Sequence, residues 1–270
     1  MLSRLAPARR RFVLGLLVLV GLAVLAVAAF TVTAAVRATH TGTADQGTPG
    51  PVVLVPGYGG NAGSLTPLAD RLRASGRDVT VVALPDSAQG DLSQQADAVG
   101  STVDGVLART GGVAVDVVGY SAGGVVARLW VTEDGGASRT RRLVMLGSPL
   151  HGTDIALLGT LVSGTCPLAC QQLAPGSPVL ARLDRQGVPA GVVAVSVWST
   201  TDDVIRPPTS SVLDGVPSPS LQSICPSSTV DHGGLPRDVV AQGLVGEALG
   251  AGALPAWGPP DCARLSSVSS

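Results

Sequence analysis

Beyond residue 50 the chain alternates between two rhythms. Short runs rich in Val and Leu occur at 51–57 (PVVLVPG), 77–85 (RDVTVVALP), 113–121 (VAVDVVGYS), 141–149 (RRLVMLGSP) and 191–199 (GVVAVSVWS). They are apolar along most of their length rather than at every second position, which is the pattern of strands buried on both faces. A weaker run at 221–225 (LQSIC) is expected as a sixth strand. Between the runs lie longer stretches, at 64–75, 91–109, 123–134 and 236–249, whose apolar residues recur at helical spacing. Ser64 is the expected N-cap of the first, with Pro67 in its opening turn. Buried strands alternating with helices predict an α/β fold: a mostly parallel, doubly wound sheet in a single domain. In such folds reactive groups collect at the C-terminal ends of the strands.

The first 37 residues follow a different pattern. Twenty-five residues from Phe12 to Val36 carry no charge. As a helix such a run is about 37 Å long, enough to cross a hydrocarbon layer of about 30 Å. Arg4, Arg9, Arg10 and Arg11 precede it, so the positive-inside rule expects the N-terminus in the cytoplasm. The length favours an uncleaved signal anchor, and the small residues at Ala26-Val27-Ala28 allow a cleaved signal peptide. Either way the remainder is exported, to the outer face of the membrane or beyond it. Residues 38–50 (ATHTGTADQGTPG) read as a polar linker, 51–262 as the domain and 263–270 as a flexible tail.

Composition narrows the function. Aromatic residues make up only 3% of 270, so the core must be built from Val, Leu and Ala, and base-stacking surfaces have little to draw on. Without the four N-terminal arginines, 14 basic residues face 19 acidic ones, a balance of about −5 that does not suit a polyanion partner. Four cysteines, Cys166, Cys170, Cys225 and Cys262, all lie on the exported side. Their spacing does not match a zinc site, and an even number outside the cytoplasm predicts two disulfides. Three pairings are possible. The favoured one is Cys166–Cys170 as a local closure and Cys225–Cys262 as a clasp on the C-terminal tail. No metal, organic cofactor or obligate protein partner is called for.

Gly119-Tyr120-Ser121-Ala122-Gly123 separates an expected strand from an expected helix. In a chain with 35 glycines a G-x-S-x-G match alone decides little, but at a strand-to-helix junction it predicts a sharp turn that exposes a nucleophilic serine hydroxyl. A serine needs a base, and there are three histidines. His40 lies in the linker. His151 would leave only Asp134 as its acid, at the far end of the helix after the turn. His232 sits in the loop before the last helix, with Asp202 and Asp203 at the end of an earlier strand. Ser121, Asp202 and His232 then follow the chain order of a Ser-Asp-His triad. Asp202 is favoured over its neighbour, Asp203 is expected to support the loop, and Asp231 to face solvent. His151 is expected to be structural or to act from behind the site. The Gly-rich turn VPGYGGNAG (55–63) follows the first strand. With a triad present, the backbone N–H groups of Tyr58 and Ala122 are its natural oxyanion donors. The absence of lysine rules out a P-loop there.

PGYGG, GYSAGG, LGSPLHGT, STTDDVI and DHGGL, in this order and spacing, resemble the secreted class 2 lipases of actinobacteria, which are similar to small triacylglycerol lipases of α/β-hydrolase fold. The resemblance covers about residues 50–262. It implies Ser121 as nucleophile, Asp202 as acid, His232 as base, and Tyr58 and Ala122 as oxyanion donors. Pro56 departs from the pattern, since many lipases carry His before the glycine. The expected activity is hydrolysis of carboxylic esters, from lipids or small esters, through an acyl-enzyme. An acyltransferase using the same acyl-enzyme, and a tethered binding protein with a vestigial site, are the alternatives. The apolar stretch 152–180 is expected to form an acyl groove or small lid, or to be plain packing.

Overall fold

Five strands form one parallel sheet in the computed structural model, which describes residues 44–154 and 166–267 together with Gly21. The chain divides into two units, 1–42 and 43–270, and the sheet lies in the second. The strands are β1 (Val52–Val55), β2 (Val79–Val81), β3 (Val115–Tyr120), β4 (Thr140–Leu146) and β5 (Val193–Val197), in spatial order β2-β1-β3-β4-β5. All four pairings are parallel, as the continuous apolar runs require. The apolar segment Phe12–Val36 lies outside the described residues. Among the described residues no helix is long and apolar enough to cross a membrane.

Eight helices flank the sheet among those residues: α1 (Thr66–Ala74), α2 (Leu92–Thr110), α3 (Ala122–Glu133), α4 (Leu168–Gln172), α5 (Pro178–Gln186), α6 (Leu221–Ile224), α7 (Val239–Ala248) and α8 (Cys262–Ser266). Alternate residues of one strand serve opposite layers. Val53 and Val55 pack with α2 and α3, whereas Val52 and Leu54 pack with α1, α7 and α8. The helix α2 shows how local sequence sets this up. Ala96, Val99, Val103 and Val106 fall at alternating three- and four-residue steps and are all buried. Asp91 caps its first turn by accepting from Ser93 N at 2.9 Å.

Three expectations need correcting. The run 221–225 is helix α6 rather than a strand, because Leu221, Ile224 and Cys225 are buried at i, i+3 and i+4 while Ser223 is exposed. Ser220 Oγ caps it at Ser223 N, 3.0 Å away. The stretch just before it, 217–220, is what lies beside β5, with Ser196 N donating to Pro217 O and Trp198 N to Pro219 O. Prolines at 217 and 219 have no N–H to return to β5, so the contact amounts to an isolated bridge between Trp198 and Ser220 rather than a sixth strand. Ser64 is not an N-cap: it lies inside a short 3-10 turn (Ala62–Leu65) capped by Asn61, and α1 begins after it with Pro67 in its first turn. The stretch expected as a flexible tail begins with α8, held down by the fully buried Leu265.

Two short helices, α4 and α5, occupy part of the stretch 152–180, of which 155–165 lie outside the described residues. The cysteines pair as Cys166–Cys170 and Cys225–Cys262, with Cα separations of 5.3 and 5.1 Å. At the N-terminal end of the sheet, fully buried Asp116 accepts from Arg141 Nε (2.8 Å) and Nη2 (2.6 Å) and is also paired with Arg77. Burial pushes its carboxyl up, against the pull of the two guanidinium groups. Arg141 also donates to the carbonyls of Leu249 and Gly250, just past the end of α7. Its charge suits that position, where the helix dipole is negative.

Candidate active site

Ser121 is the single residue between the end of β3 and the start of α3. Its φ of 54° and ψ of −130° lie outside the regions that L-residues ordinarily occupy. Such a conformation costs on the order of 1–3 kcal/mol and persists only where its surroundings enforce it. Here close packing enforces it. A Cβ on Gly119 would lie 2.4 Å from Gly123 O, and one on Gly123 would lie 2.3 Å from Val55 O. Strand, turn and helix close together only because both positions lack side chains.

His232 lies in the loop between α6 and α7, and Asp202 in the loop after β5. The fold brings these two and Ser121 into one hydrogen-bonded row. His232 Nε2 is 3.0 Å from Ser121 Oγ, and His232 Nδ1 is 2.8 Å from Asp202 Oδ2. A carboxylate only accepts, so the neutral ring carries its hydrogen on Nδ1 and turns the Nε2 lone pair toward the hydroxyl. Asp202 Oδ1 accepts from Val204 N (2.9 Å) and Ile205 N (2.7 Å), which fixes the carboxylate plane. All three side chains are buried. A row of this kind can remove a proton from a hydroxyl as the oxygen attacks an electrophilic carbon.

The other candidates fall outside the row. Asp203 Oδ1 accepts from the backbone N of His232 at 3.2 Å, so it supports the loop rather than the ring. Asp231 is exposed and accepts from Gly234 N. His151 is tied through Nδ1 to Asp184 (3.0 Å) and through Nε2 to Val212 O (2.9 Å), which makes it a brace between α5 and the 212 region. His40 lies outside the described residues.

The Gly-rich loop after β1 passes directly over the turn. A Cβ on Gly57 would lie 2.8 Å from Ser121 Cβ and 3.4 Å from Ser121 Oγ. Gly60 N donates to Gly57 O at 3.0 Å, closing a tight turn that needs the positive φ of Gly59 (86°). Tyr58 N is therefore the next backbone donor along from the contact with Ser121. The Ala122 N–H, at the first position of α3, has no carbonyl within its helix to bond.

Tyr120 is a member of the site that sequence reasoning missed. Its ring stacks on the His232 ring, with centroids 5.1 Å apart, and its hydroxyl donates to His232 O at 3.0 Å. Burial, followed by the charge of Asp202, raises the phenol's pKa, so the hydroxyl stays a donor. Its only sequence signal is adjacency to the serine. Among the described residues no cluster of three or more metal-ligating side chains occurs.

No protein-family model matches the chain, and no curated protein matches it by sequence. Solved structures do. Lipase B of Aspergillus fumigatus is similar with a TM-score of 0.65 and 21% identity, covering 80% of this chain and 60% of that one. A mature lipase of Bacillus licheniformis gives 0.51 and 18%, covering 57% and 67%. A gene product of Listeria innocua gives 0.52 and 16%, covering 72% and 91%. The chain thus spans about three fifths of the Aspergillus lipase's length. At these identities the likeness is one of fold. The parallel sheet and the strand-turn-helix around Ser121 belong to the α/β-hydrolase fold.

Proposed function

We propose that the protein is a serine hydrolase that cleaves carboxylic esters through an acyl-enzyme. The observation that carries this reading is the row Asp202–His232–Ser121 at a strained strand-to-helix turn. In the proposed reaction Ser121 Oγ attacks the ester carbonyl carbon while His232 Nε2 takes its proton. Asp202 holds the ring's tautomer and stabilises the imidazolium without accepting the proton. The N–H groups of Tyr58 and Ala122 receive the developing oxyanion. His232 then returns the proton to the departing alcohol as the C–O bond breaks. Water repeats the sequence on the acyl-enzyme, releasing the acid and restoring Ser121.

The substrates are proposed to be lipid or small acyl esters, in keeping with the sequence resemblance to secreted actinobacterial class 2 lipases and with a fold like that of two lipases. Two disulfides fit an extracellular protein. We take the N-terminal apolar run as the export signal or anchor. Labelling with a fluorophosphonate probe tests the reading. Wild-type protein should be modified at Ser121 and should hydrolyse short-chain esters. Ser121→Ala, still folded, should take no label and lose several orders of magnitude in turnover. A Ser121→Ala protein within tenfold of wild type would refute it.

A further inference from the structure

Beyond β2 the chain makes a turn that should not be stable alone. Asp86, Ser87 and Ala88 have φ values of 49°, 50° and 56°, three successive non-glycine residues in the left-handed region. Each such residue costs about 1–2 kcal/mol, and L-residues visit the region singly rather than in runs. Something must hold this turn from both sides.

On its inner side is the loop over Ser121. A Cβ on Gly60 would lie 3.0 Å from the carbonyl carbon of Ser87 and 3.2 Å from its Cα, so the two backbones touch. Gly60 also closes the 57–60 turn through its N–H, and that turn contains Tyr58. On its other side the residues that follow it, 89–92, are held by α4. Ala169 N donates to Gln89 O at 3.1 Å. The Gln172 amide accepts from Leu92 N at 2.8 Å and donates to Asp91 Oδ1 at 3.1 Å. A helix of five residues has little stability of its own. The Cys166–Cys170 bridge ties the first turn of α4 to the residue just before the helix cap.

We propose that α4 and its disulfide are a positioning device for the oxyanion donor. They clamp the left-handed turn 86–88 against Gly60 and so hold the Tyr58 N–H at the angle the tetrahedral intermediate needs. The proposal rests on the reading of Tyr58 N–H as an oxyanion donor. It assigns Cys166, Cys170 and Gln172 a part in turnover although none belongs to the hydrogen-bonded row. Loosening the clamp leaves Ser121, His232 and Asp202 as they are. It lowers transition-state binding and spares ground-state binding, because the donor serves an oxygen whose full charge exists only in the tetrahedral state.

The test compares wild type with the Cys166→Ser/Cys170→Ser double variant, Gln172→Ala and Gly60→Ala. Each is measured for kcat and KM on a short-chain ester, and for affinity toward a trifluoromethyl ketone, whose adduct with Ser121 carries the oxyanion. All three variants should lose about tenfold or more in kcat, since misplacement by about 1 Å can cost a hundredfold. KM should stay within twofold, and ketone affinity should fall by the same factor as kcat. Unchanged kcat and ketone affinity in Gln172→Ala and Gly60→Ala would overturn the proposal. So would losses that track the melting temperature and raise KM equally. If the double cysteine variant does not fold, Gln172→Ala decides. A wild type unlabelled at Ser121 would remove the reading of the site and this proposal with it, whereas a labelled wild type with unaffected variants would remove this proposal alone.

Discussion

Replacing Asp202 by Asn tests the row most directly, because the outcome can be worked from three hydrogen bonds. The carboxylate accepts on Oδ1 from Val204 N and Ile205 N and on Oδ2 from His232 Nδ1. An amide has one accepting oxygen and one donating nitrogen, so it cannot satisfy all three. Turning the NH2 toward Val204 and Ile205 would set donors against two N–H groups, at about 1–3 kcal/mol for each buried group left unpaired. The lower-energy arrangement keeps the oxygen there and points the NH2 at His232 Nδ1. The ring must then accept at Nδ1 and carry its hydrogen on Nε2, where it meets Ser121 Oγ without a lone pair to offer. For an acid in this role the typical loss is about 10⁴ in kcat, equal to about 5.4 kcal/mol of barrier. Asp203→Asn is the matched control. It removes the same charge one residue away and keeps an oxygen that can accept from His232 N, so activity should stay within a few-fold. The assay is ester turnover for both variants, with melting temperatures to show that each is folded. A loss below tenfold for Asp202→Asn, or a larger loss for Asp203→Asn, would refute the reasoning.

Tyr120→Phe keeps the ring on His232 but loses the bond to His232 O. Stability should fall by about 1 kcal/mol and turnover by a few-fold, read by thermal melting and kcat. The Asp91 carboxyl is held below the ordinary carboxylate range, first by Ser93 N–H and then by Gln172. A depressed folded value means that its contribution is present above about pH 4, the unfolded value, and is lost as pH falls through the folded one. Asp91→Ala should therefore cost about 1 kcal/mol at pH 7 and progressively less as the pH falls below about 4, and denaturant melts over a falling pH series would show it. The Cys225–Cys262 bridge spans 37 residues, for which the loop-entropy account gives about 4 kcal/mol. A Cys225→Ser/Cys262→Ser double variant with an unchanged denaturation midpoint would contradict that account.

Much of this arrangement was legible in the amino-acid order, for reasons that are local. Short apolar runs rich in Val, bounded by Gly and Pro and alternating with longer stretches of helical spacing, fit strands covered on both faces, so the parallel sheet followed from β1, β3, β4 and β5. Gly119 and Gly123 marked the turn at Ser121 because two backbones cross there and leave no room for a Cβ. Asp202 and His232 stood out by position, each in a loop among the elements after the serine. What no window of residues contains is direction and contact. Adjacent acids look alike in sequence, and only the tertiary structure turns Asp202 to the ring and Asp203 to the backbone of the same loop. LQSIC fits a strand or a helix equally well in five residues, and burial of Leu221, Ile224 and Cys225 on one side decided for the helix. Tyr120 was hidden because stacking on His232 joins residues 112 apart. The left-handed turn at 86–88 was hidden for a related reason. No local preference favours it; Ser87 lies against Gly60 and the residues just after the turn bond to α4, two segments that the sequence keeps more than a hundred residues apart.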